Sequence, residues 1–353
     1  FLGLVLTRNS NLIVNTRILS GHLTGVQRYL LSILNHLEGD SISKVAPSRP
    51  LNGIKGHAWE QFALPLKAKG QLLWSPSNSG PVAVRRQVLT MHDLVPIDHA
   101  EFLNPRFAAW YQFLLPRLVS RVDRVIAISE FTRDRLIEVF GIPEDRISVI
   151  WNGVDARFQP QDEDKVAEAR LKLGIPSGRY LVALGSLEPR KNLKRLLQAW
   201  SRVASELPED VWLVLSGAKG KSLVFDGDSY DELPPRVHLT GHVPDDLLPA
   251  LYSGALAAPY LSVYEGFGLP PLEAMACGTP PLTGNLTALP EVVGEGGLMV
   301  NPYDIDAIAD ALKHLVTDKE LREQLRTKGL QQASRFDWRQ TALQTRKVLM
   351  ESA

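Results

Sequence analysis

At 353 residues the chain is long for one hydrophobic core, and its apolar content of 44% is ordinary for a soluble globular protein, so two domains are expected. Formal net charge is zero, and with neither a long basic run nor a nucleic-acid motif the composition argues against duplex binding. The single cysteine, Cys277, excludes an intramolecular disulfide and a Cys–His zinc site of the usual spacing, and no run of about 18 apolar residues is present to form a membrane-spanning helix.

Charge is unevenly spread. Residues 1–160 carry 18 Lys and Arg against 13 Asp and Glu, and the remainder 21 against 26. The basic first half is suited to an anionic lipid or membrane surface; uneven solvated charge is the plainer reading. One cysteine fits a reducing cytoplasm. The opening Phe1–Leu6 is apolar but too short for a signal-peptide core, and reads as a strand or the remnant of a longer start.

In chain order, short β-rich runs alternate with helical stretches, the pattern of parallel sheets with crossover helices. Leu12–Thr16 reads as a strand, followed by the glycine-containing loop Ser20–Gly25 and a helix over Val26–Leu37. Leu72–Trp74 and Gln87–Met91 read as strands, Phe107–Val122 as an aromatic-rich helix, and Arg124–Ile128 as a strand. Ser129 is placed to cap a helix reaching Phe140, and Arg146–Ile150 is the next strand. The polar stretch Gln159–Lys165 marks a domain boundary. Strands are then expected at Tyr180–Leu184, Val211–Leu215, Val237–Thr240, Ala255–Tyr260 and Gly297–Val300. Helices are expected at Leu193–Leu207, Asp245–Tyr252, from Leu269, over Asp304–Thr317, and through the remainder with a break near Phe336–Asp337. Two doubly wound α/β domains in tandem, with ligands beyond the carboxyl ends of strands and in the cleft between domains, are the simplest account.

The strongest local signal is Tyr264-Glu265-Gly266-Phe267-Gly268-Leu269-Pro270-Pro271-Leu272-Glu273-Ala274. A glycine-framed turn at a helix start, with proline in the first turn, leaves backbone N–H groups pointing outward for phosphate oxygens. Two glutamates beside such a nest suit sugar and ribose hydroxyls. A surface charge and a dipole-compensating residue are the bland alternative, and a bare pair at this spacing would favour it.

This segment resembles the signature of retaining glycosyltransferases of glycosyltransferase family 4, which have the GT-B fold of two Rossmann-like domains facing a central cleft. The likeness continues through Ala274–Pro280, Leu289–Val292, Leu184–Asn192, Ala127–Glu130, Asn152–Asp155 and Thr24–Tyr29, in the family's order over nearly the whole chain. It implies an N-terminal acceptor-side domain over 1–160 and a nucleotide-sugar donor domain over 161–336. It also implies a final helix over 337–353 that packs back on the first domain.

By the same resemblance, Glu273 binds the nucleoside ribose and Glu265 stands near the transferred sugar. Gly266, Phe267, Gly268 and Leu269 offer backbone contacts to sugar or diphosphate. Arg190 and Lys191 match the basic pair that neutralises the diphosphate, which is sound chemistry for a leaving group that gains charge. Ser186 departs from the arginine that many members carry after the strand-ending glycine, and Arg190 stands in for it in this reading. His92 resembles the histidine facing the donor sugar, although a lone histidine is more often structural. Gly25 resembles the glycine that lets the first domain's backbone approach the diphosphate, and His242 and Val243 lie where the family holds the base.

Asp226-Gly-Asp228 has the form that metal-dependent glycosyltransferases use, but it reads as a turn, and no metal or other cofactor is expected. Phe107, Trp110, Tyr111 and Leu114 share one helical face, which reads as core packing; a lipid-linked acceptor or the bilayer interface is the alternative, with Arg85, Arg86 and Arg106 on head groups. Resemblance to bacterial O-antigen, capsule and exopolysaccharide enzymes makes GDP-mannose the expected donor and a glycan or polyprenyl-linked saccharide the acceptor. The expected location is cytoplasmic, with peripheral inner-membrane contact an option. GDP-rhamnose, UDP-glucose, an epimerase or hydrolase activity, and a silent binding module remain the competing readings.

Overall fold

The computed structural model describes residues 12–20, 24–37, 42–51, 53–185, 188–217, 223–225, 228–230 and 233–353. The expectations on Phe1–Leu6, on most of the loop before Gly25, on Ser186 and on most of the Asp226–Asp228 motif lie outside them; Asp228 itself opens a short strand.

The chain divides into two compact units, Phe1–Gly153 with Asp337–Ala353, and Val154–Phe336. The first division therefore falls before the polar stretch rather than within it. Asp162 explains the shift: its carboxylate accepts from the Lys165 N–H at 2.9 Å and caps a helix, Glu163–Lys172, so the charged residues that looked like a linker begin the second unit's first helix.

In the first unit six strands run parallel: β1 (Leu12–Asn15), β2 (Ile42–Val45), β3 (Leu72–Ser75), β4 (Gln87–Met91), β5 (Arg124–Ala127) and β6 (Ile147–Val149). Their spatial order is β2-β1-β3-β4-β5-β6. β1, β3 and β4 are buried along their whole length, as strands covered on both faces must be. The aromatic-rich helix runs over Pro105–Val119, and its buried face is Ala108, Tyr111, Leu114, Leu115 and Leu118. Phe107 keeps to that face, its ring centroid 4.5 Å from that of Tyr111, but in the first turn of the helix it is 44% exposed and so is not core.

The last helix, Trp338–Glu351, belongs to this first unit. Trp338 meets the Tyr29 ring of the helix Gly25–His36 edge-on at 6.1 Å, and Thr341 donates to the Trp151 carbonyl at 2.7 Å. Gly153 makes this possible: a Cβ there would stand 2.2 Å from the Trp338 nitrogen.

The second unit holds β7 (Arg179–Leu184), β8 (Val211–Ser216), the short antiparallel pair β9 (Leu223–Phe225) and β10 (Asp228–Tyr230), β11 (Val237–Gly241), β12 (Ala258–Tyr260), β13 (Pro281–Gly284) and β14 (Leu298–Val300). Two parallel three-stranded sheets, β11-β8-β7 and β12-β13-β14, are joined where Val182 N–H donates to Ala257 and Leu256 N–H donates to Tyr180. Helix Leu193–Val203 lays Leu196, Leu197, Trp200 and Val203 on this sheet, at the three- and four-residue spacing of an amphipathic helix. Strand β12 is three residues long, half the length expected from Ala255–Tyr260, and helix Leu248–Ser253 begins three residues later than expected.

Candidate functional site

The loops that follow the parallel strands carry nearly all the residues singled out from the sequence. In the second unit, β7 ends at Leu184 and leads to a short 3₁₀ turn, Pro189–Lys191, before helix Leu193–Val203. β12 ends at Tyr260 and leads through Ser262 and Glu265 to helix Leu269–Ala276. These two loops are tied together: the Arg190 carbonyl accepts from Val263 N–H at 2.8 Å and from the Ser262 hydroxyl at 2.9 Å.

That tie brings three predicted side chains into one cluster. Arg190 Nη1 donates to Glu265 Oε2 at 3.1 Å, and Lys191 Nζ donates to Glu265 Oε1 at 2.7 Å. Arg190 Nε also reaches Glu188 at 2.7 Å. Tyr260 donates its hydroxyl proton to Glu265 Oε1 at 2.9 Å and accepts from Lys191. Glu265 is only 8% exposed. Burial pushes its pKa up, but the charges of Lys191 and then Arg190 outweigh burial and hold the carboxyl at about 2. Burial disfavours the Arg190 cation, yet Glu265 and Glu188 more than compensate and raise its pKa. Burial and the Glu265 carboxylate keep the Tyr260 phenol protonated.

The cluster therefore holds one buried carboxylate between two cations. Its geometry is fixed by a further contact, Glu265 N–H to the Thr287 hydroxyl at 3.1 Å, with Thr287 in the left-handed region at φ +61°. Sequence reasoning missed Tyr260, Ser262 and Thr287. Tyr260 alone left a signal, a phenol at the carboxyl end of an apolar strand five residues before Glu265.

Beyond the cluster the chain turns into helix Leu269–Ala276. Gly268 takes φ +116°, and a Cβ there would stand 2.8 Å from Leu289 Cδ2, so only glycine fits this helix start without movement. Gly266 and Phe267 are buried, with the Phe267 ring edge-on to Phe336 at 5.7 Å. Glu273 sits half-buried one turn into the helix, near enough to influence Arg157 and Cys277 electrostatically. Arg157, which also pairs with Asp155 at 2.8 Å, is a neighbour that no motif singled out. At the end of β11, the Gly241 carbonyl accepts from Gly217 at 2.8 Å; His242 is exposed and Val243 is buried. The strand ends thus place Arg190, Lys191 and Glu265 in direct contact, with Gly266–Leu269 and Glu273 continuous with them along the chain. No hydrogen bond or ion pair joins His242 or Val243 to Arg190, Lys191 or Glu265 among the described residues.

In the first unit His92 directly follows β4 and is 6% exposed. Its N–H donates to Asn78 Oδ1 at 2.6 Å, and Nε2 lies 2.9 Å from the Pro76 carbonyl. A carbonyl only accepts, so Nε2 carries the proton. Burial lowers the ring's pKa to about 4, against a smaller opposing effect of the Pro76 bond, so the imidazole is neutral at physiological pH. Tyr29 packs edge-on to it at 4.8 Å. Tyr29 rises from the helix that Gly25 begins, where Thr24 and Gln27 form a capping box, so His92 and that helix start are held in one packed group.

Comparison with known proteins bears on the family and the fold. A family profile described as "Glycosyl transferases group 1" matches residues 166–332, and one described as "Glycosyltransferase Family 4" matches residues 73–158. An O-antigen chain mannosyltransferase B of Escherichia coli is 32% identical over 283 residues, spanning 78% of this chain and 73% of its own length. A serotype-specific mannosyltransferase WbdA of the same species is 32% identical over 265 residues; the match takes in 73% of this chain but only 32% of that protein, about a third of its length. Among solved structures, a sucrose-phosphate synthase from Thermosynechococcus elongatus aligns with a TM-score of 0.75 over 97% of this chain and 98% of that one. Its identity is 19%, so that likeness speaks for the fold alone.

Proposed function

The chain belongs to glycosyltransferase family 4 and has its GT-B fold, and we propose that within the family it is a retaining, metal-independent hexosyltransferase. In this reading it moves mannose from GDP-mannose to a glycan or polyprenyl-linked saccharide in bacterial surface-polysaccharide synthesis. The two E. coli mannosyltransferases support the sugar and the setting. The observation that carries the chemistry is the cluster of Arg190, Lys191 and Glu265 directly before a glycine-started helix.

Transfer breaks the bond between the sugar's C1 and the diphosphate oxygen and forms one between C1 and the acceptor oxygen. The nucleoside diphosphate leaves with the bonding pair, and the acceptor's proton passes to the departing phosphate on the same face. Charge grows on the diphosphate as the bond breaks, and preorganised cations stabilise it. A guanidinium and an ammonium offer more N–H donors than the hydrogen bonds seen among the described residues use. Glu265, ionised down to about pH 2, serves as an acceptor and charge anchor and not as a proton donor. His92, neutral with Nε2 engaged, serves the sugar as a hydrogen-bonding group and not as a cation. Glu273 takes the ribose, Gly25 and Gly266–Leu269 the diphosphate, and His242 and Val243 the base.

The test is a thermal-shift screen with GDP-mannose, GDP-rhamnose and UDP-glucose, followed by transfer of labelled sugar and assignment of the product's anomeric configuration. A ligand at a hundred times its Kd stabilises the native state by about 2.7 kcal/mol. Stabilisation by UDP-glucose alone would replace the donor. An inverted product would overturn retention. Turnover abolished by a chelator would overturn metal independence. Free or epimerised sugar without transfer would replace the reaction class.

A further inference from the structure

The segment between β2 and β3 folds into a continuous helical rod that the sequence pattern concealed: α-helix Gly53–Ala58, a π turn Trp59–Ala63 and α-helix Leu64–Ala68. Pro65 supplies a cause for the π turn. It has no N–H to offer the preceding turn, and its ring crowds the carbonyl four residues back. Instead Leu64 N–H reaches the Trp59 carbonyl, five residues back.

The π turn has a consequence for which residues face outward. Four residues advance an α-helix by about 400°, so a row at four-residue steps drifts around it by about 40° per step. The looser π turn takes up that drift. Gly56, Glu60, Leu64 and Ala68 consequently all face inward. Glu60 is wholly buried, accepting from Asn15 at 2.6 Å, from Ser79 at 3.2 Å and from Arg17 at 3.3 Å, which pins the rod to the carboxyl ends of the sheet.

Two positions round, Ile54, Ala58, Phe62 and Leu66 form a straight outward row. Ile54 is 83% exposed, Phe62 77% and Leu66 74%. The adjoining row is Lys55, Trp59, Ala63 and Lys67, and Lys69 follows at the rod's end; all three lysines are exposed. Glu60, facing inward, is the only acidic residue from Gly53 to Lys69.

We propose that this outward face is a seat for an anionic phospholipid surface. The apolar row enters the boundary between head groups and acyl chains, and Lys55, Lys67 and Lys69 meet the phosphates. Charge complementarity selects this occupant. A symmetric dimer through the same face would bring the lysines against a copy of a face that carries no outward acidic residue to pair them. The face differs from the aromatic helix weighed from the sequence, of which Tyr111 and Leu114 are buried. The inference does not rest on the donor assignment, because membrane binding is measured without a donor.

The test is flotation of the full chain with vesicles of phosphatidylglycerol and phosphatidylethanolamine, compared with phosphatidylcholine vesicles, at low and high salt. Binding is expected to the anionic vesicles and to weaken with salt. Lys55→Glu with Lys67→Glu and Lys69→Glu should lower it about a hundredfold, since each lysine near the surface contributes roughly a fivefold factor. Phe62→Ser with Leu66→Ser should lower it at least tenfold, with melting temperature and nucleotide binding unchanged, because both side chains are exposed. The inference is overturned by equal binding to phosphatidylcholine, by no binding, or by either variant binding like the parent. A dimer in sedimentation velocity that Phe62→Ser dissolves would also overturn it, assigning the face to a second copy.

Discussion

Glu265→Gln removes a charge while keeping the shape of the side chain, and its effect should depend on pH in a defined way. The carboxyl's ordinary pKa of 4.5 is brought to about 2 in the folded state, with Lys191 and Arg190 overcoming burial. Because the folded pKa is the lower one, the ionised form stabilises the fold fully above pH 4.5, and that contribution is lost as pH falls through 2. At neutral pH it is worth roughly 3 kcal/mol, and at pH 3 roughly 1 kcal/mol of it remains. Whatever constant offset the amide introduces cancels in the comparison. The stability gap between parent and variant should therefore be roughly 2 kcal/mol smaller at pH 3 than at pH 7, with most of the change below pH 4.5. Urea dependence of amide hydrogen exchange, read on peptides covering β7 and β12, reports the second unit by itself. A gap that stays constant or widens on acidification would refute the charge-anchored cluster.

Three further outcomes follow from the same geometry. Lys191→Ala should lower donor turnover by roughly 10²- to 10³-fold, the usual loss when one donor to developing charge is removed, and undiminished turnover would remove Lys191 from the diphosphate. Glu273→Ala should weaken nucleotide binding in calorimetry by roughly tenfold or more, as expected for a hydrogen bond to a charged group; an unchanged Kd would sink the ribose role. Gly153→Ala puts a methyl 2.2 Å from the Trp338 nitrogen and 2.7 Å from the Asp337 carbonyl carbon, both backbone, and should cost about 1–3 kcal/mol of first-unit stability. An unshifted melting temperature would mean that the last helix is not locked to the first unit there.

How much of this was legible in the sequence depended on where each residue's partners lie. β7 is a nearly continuous apolar run after Arg179 and β4 centres on Val88, Leu89 and Met91, and both were read almost to the residue, because strands covered on both faces demand an apolar composition. β2 is half exposed and reads Ile-Ser-Lys-Val, and β13 reads Pro-Leu-Thr-Gly, so neither announces itself. The rod over residues 53–68 was hidden because its inward row is glycine, glutamate, leucine and alanine, and because Pro65 and two glycines suggest breaks. In the candidate site, the types and order of Arg190, Lys191, Glu265 and Glu273 were visible. That Arg190 and Lys191 both close on Glu265, 75 and 74 residues away, was not, since sequence spacing says nothing about which strand ends are neighbours. Tyr260 was concealed for a different reason: within an apolar strand a tyrosine reads as core, and only its hydroxyl bond to Glu265 gives it a second role.

The two units should respond to acid in different windows, and His92 makes the separation testable. Burial lowers its pKa from 6.5 to about 4. The unfolded chain thus binds a proton that the folded unit refuses between those values, and this part of the first unit's stability is complete above pH 6.5 and lost as pH falls through 4. The full difference is about 3 kcal/mol. Glu265 acts in the second unit, and mostly below pH 4.5. His92→Gln keeps an N–H for the Pro76 carbonyl and removes the titrating ring. In exchange measurements on β4 between pH 7 and 4, the parent should weaken by about 3 kcal/mol more than the variant, while peptides from β12 should show the same pH dependence in both. If the β4 peptides of the two proteins weakened in parallel, His92 would not be held neutral by burial. Its proposed role as an uncharged hydrogen-bonding group toward the donor sugar would then have to give way to that of a cation.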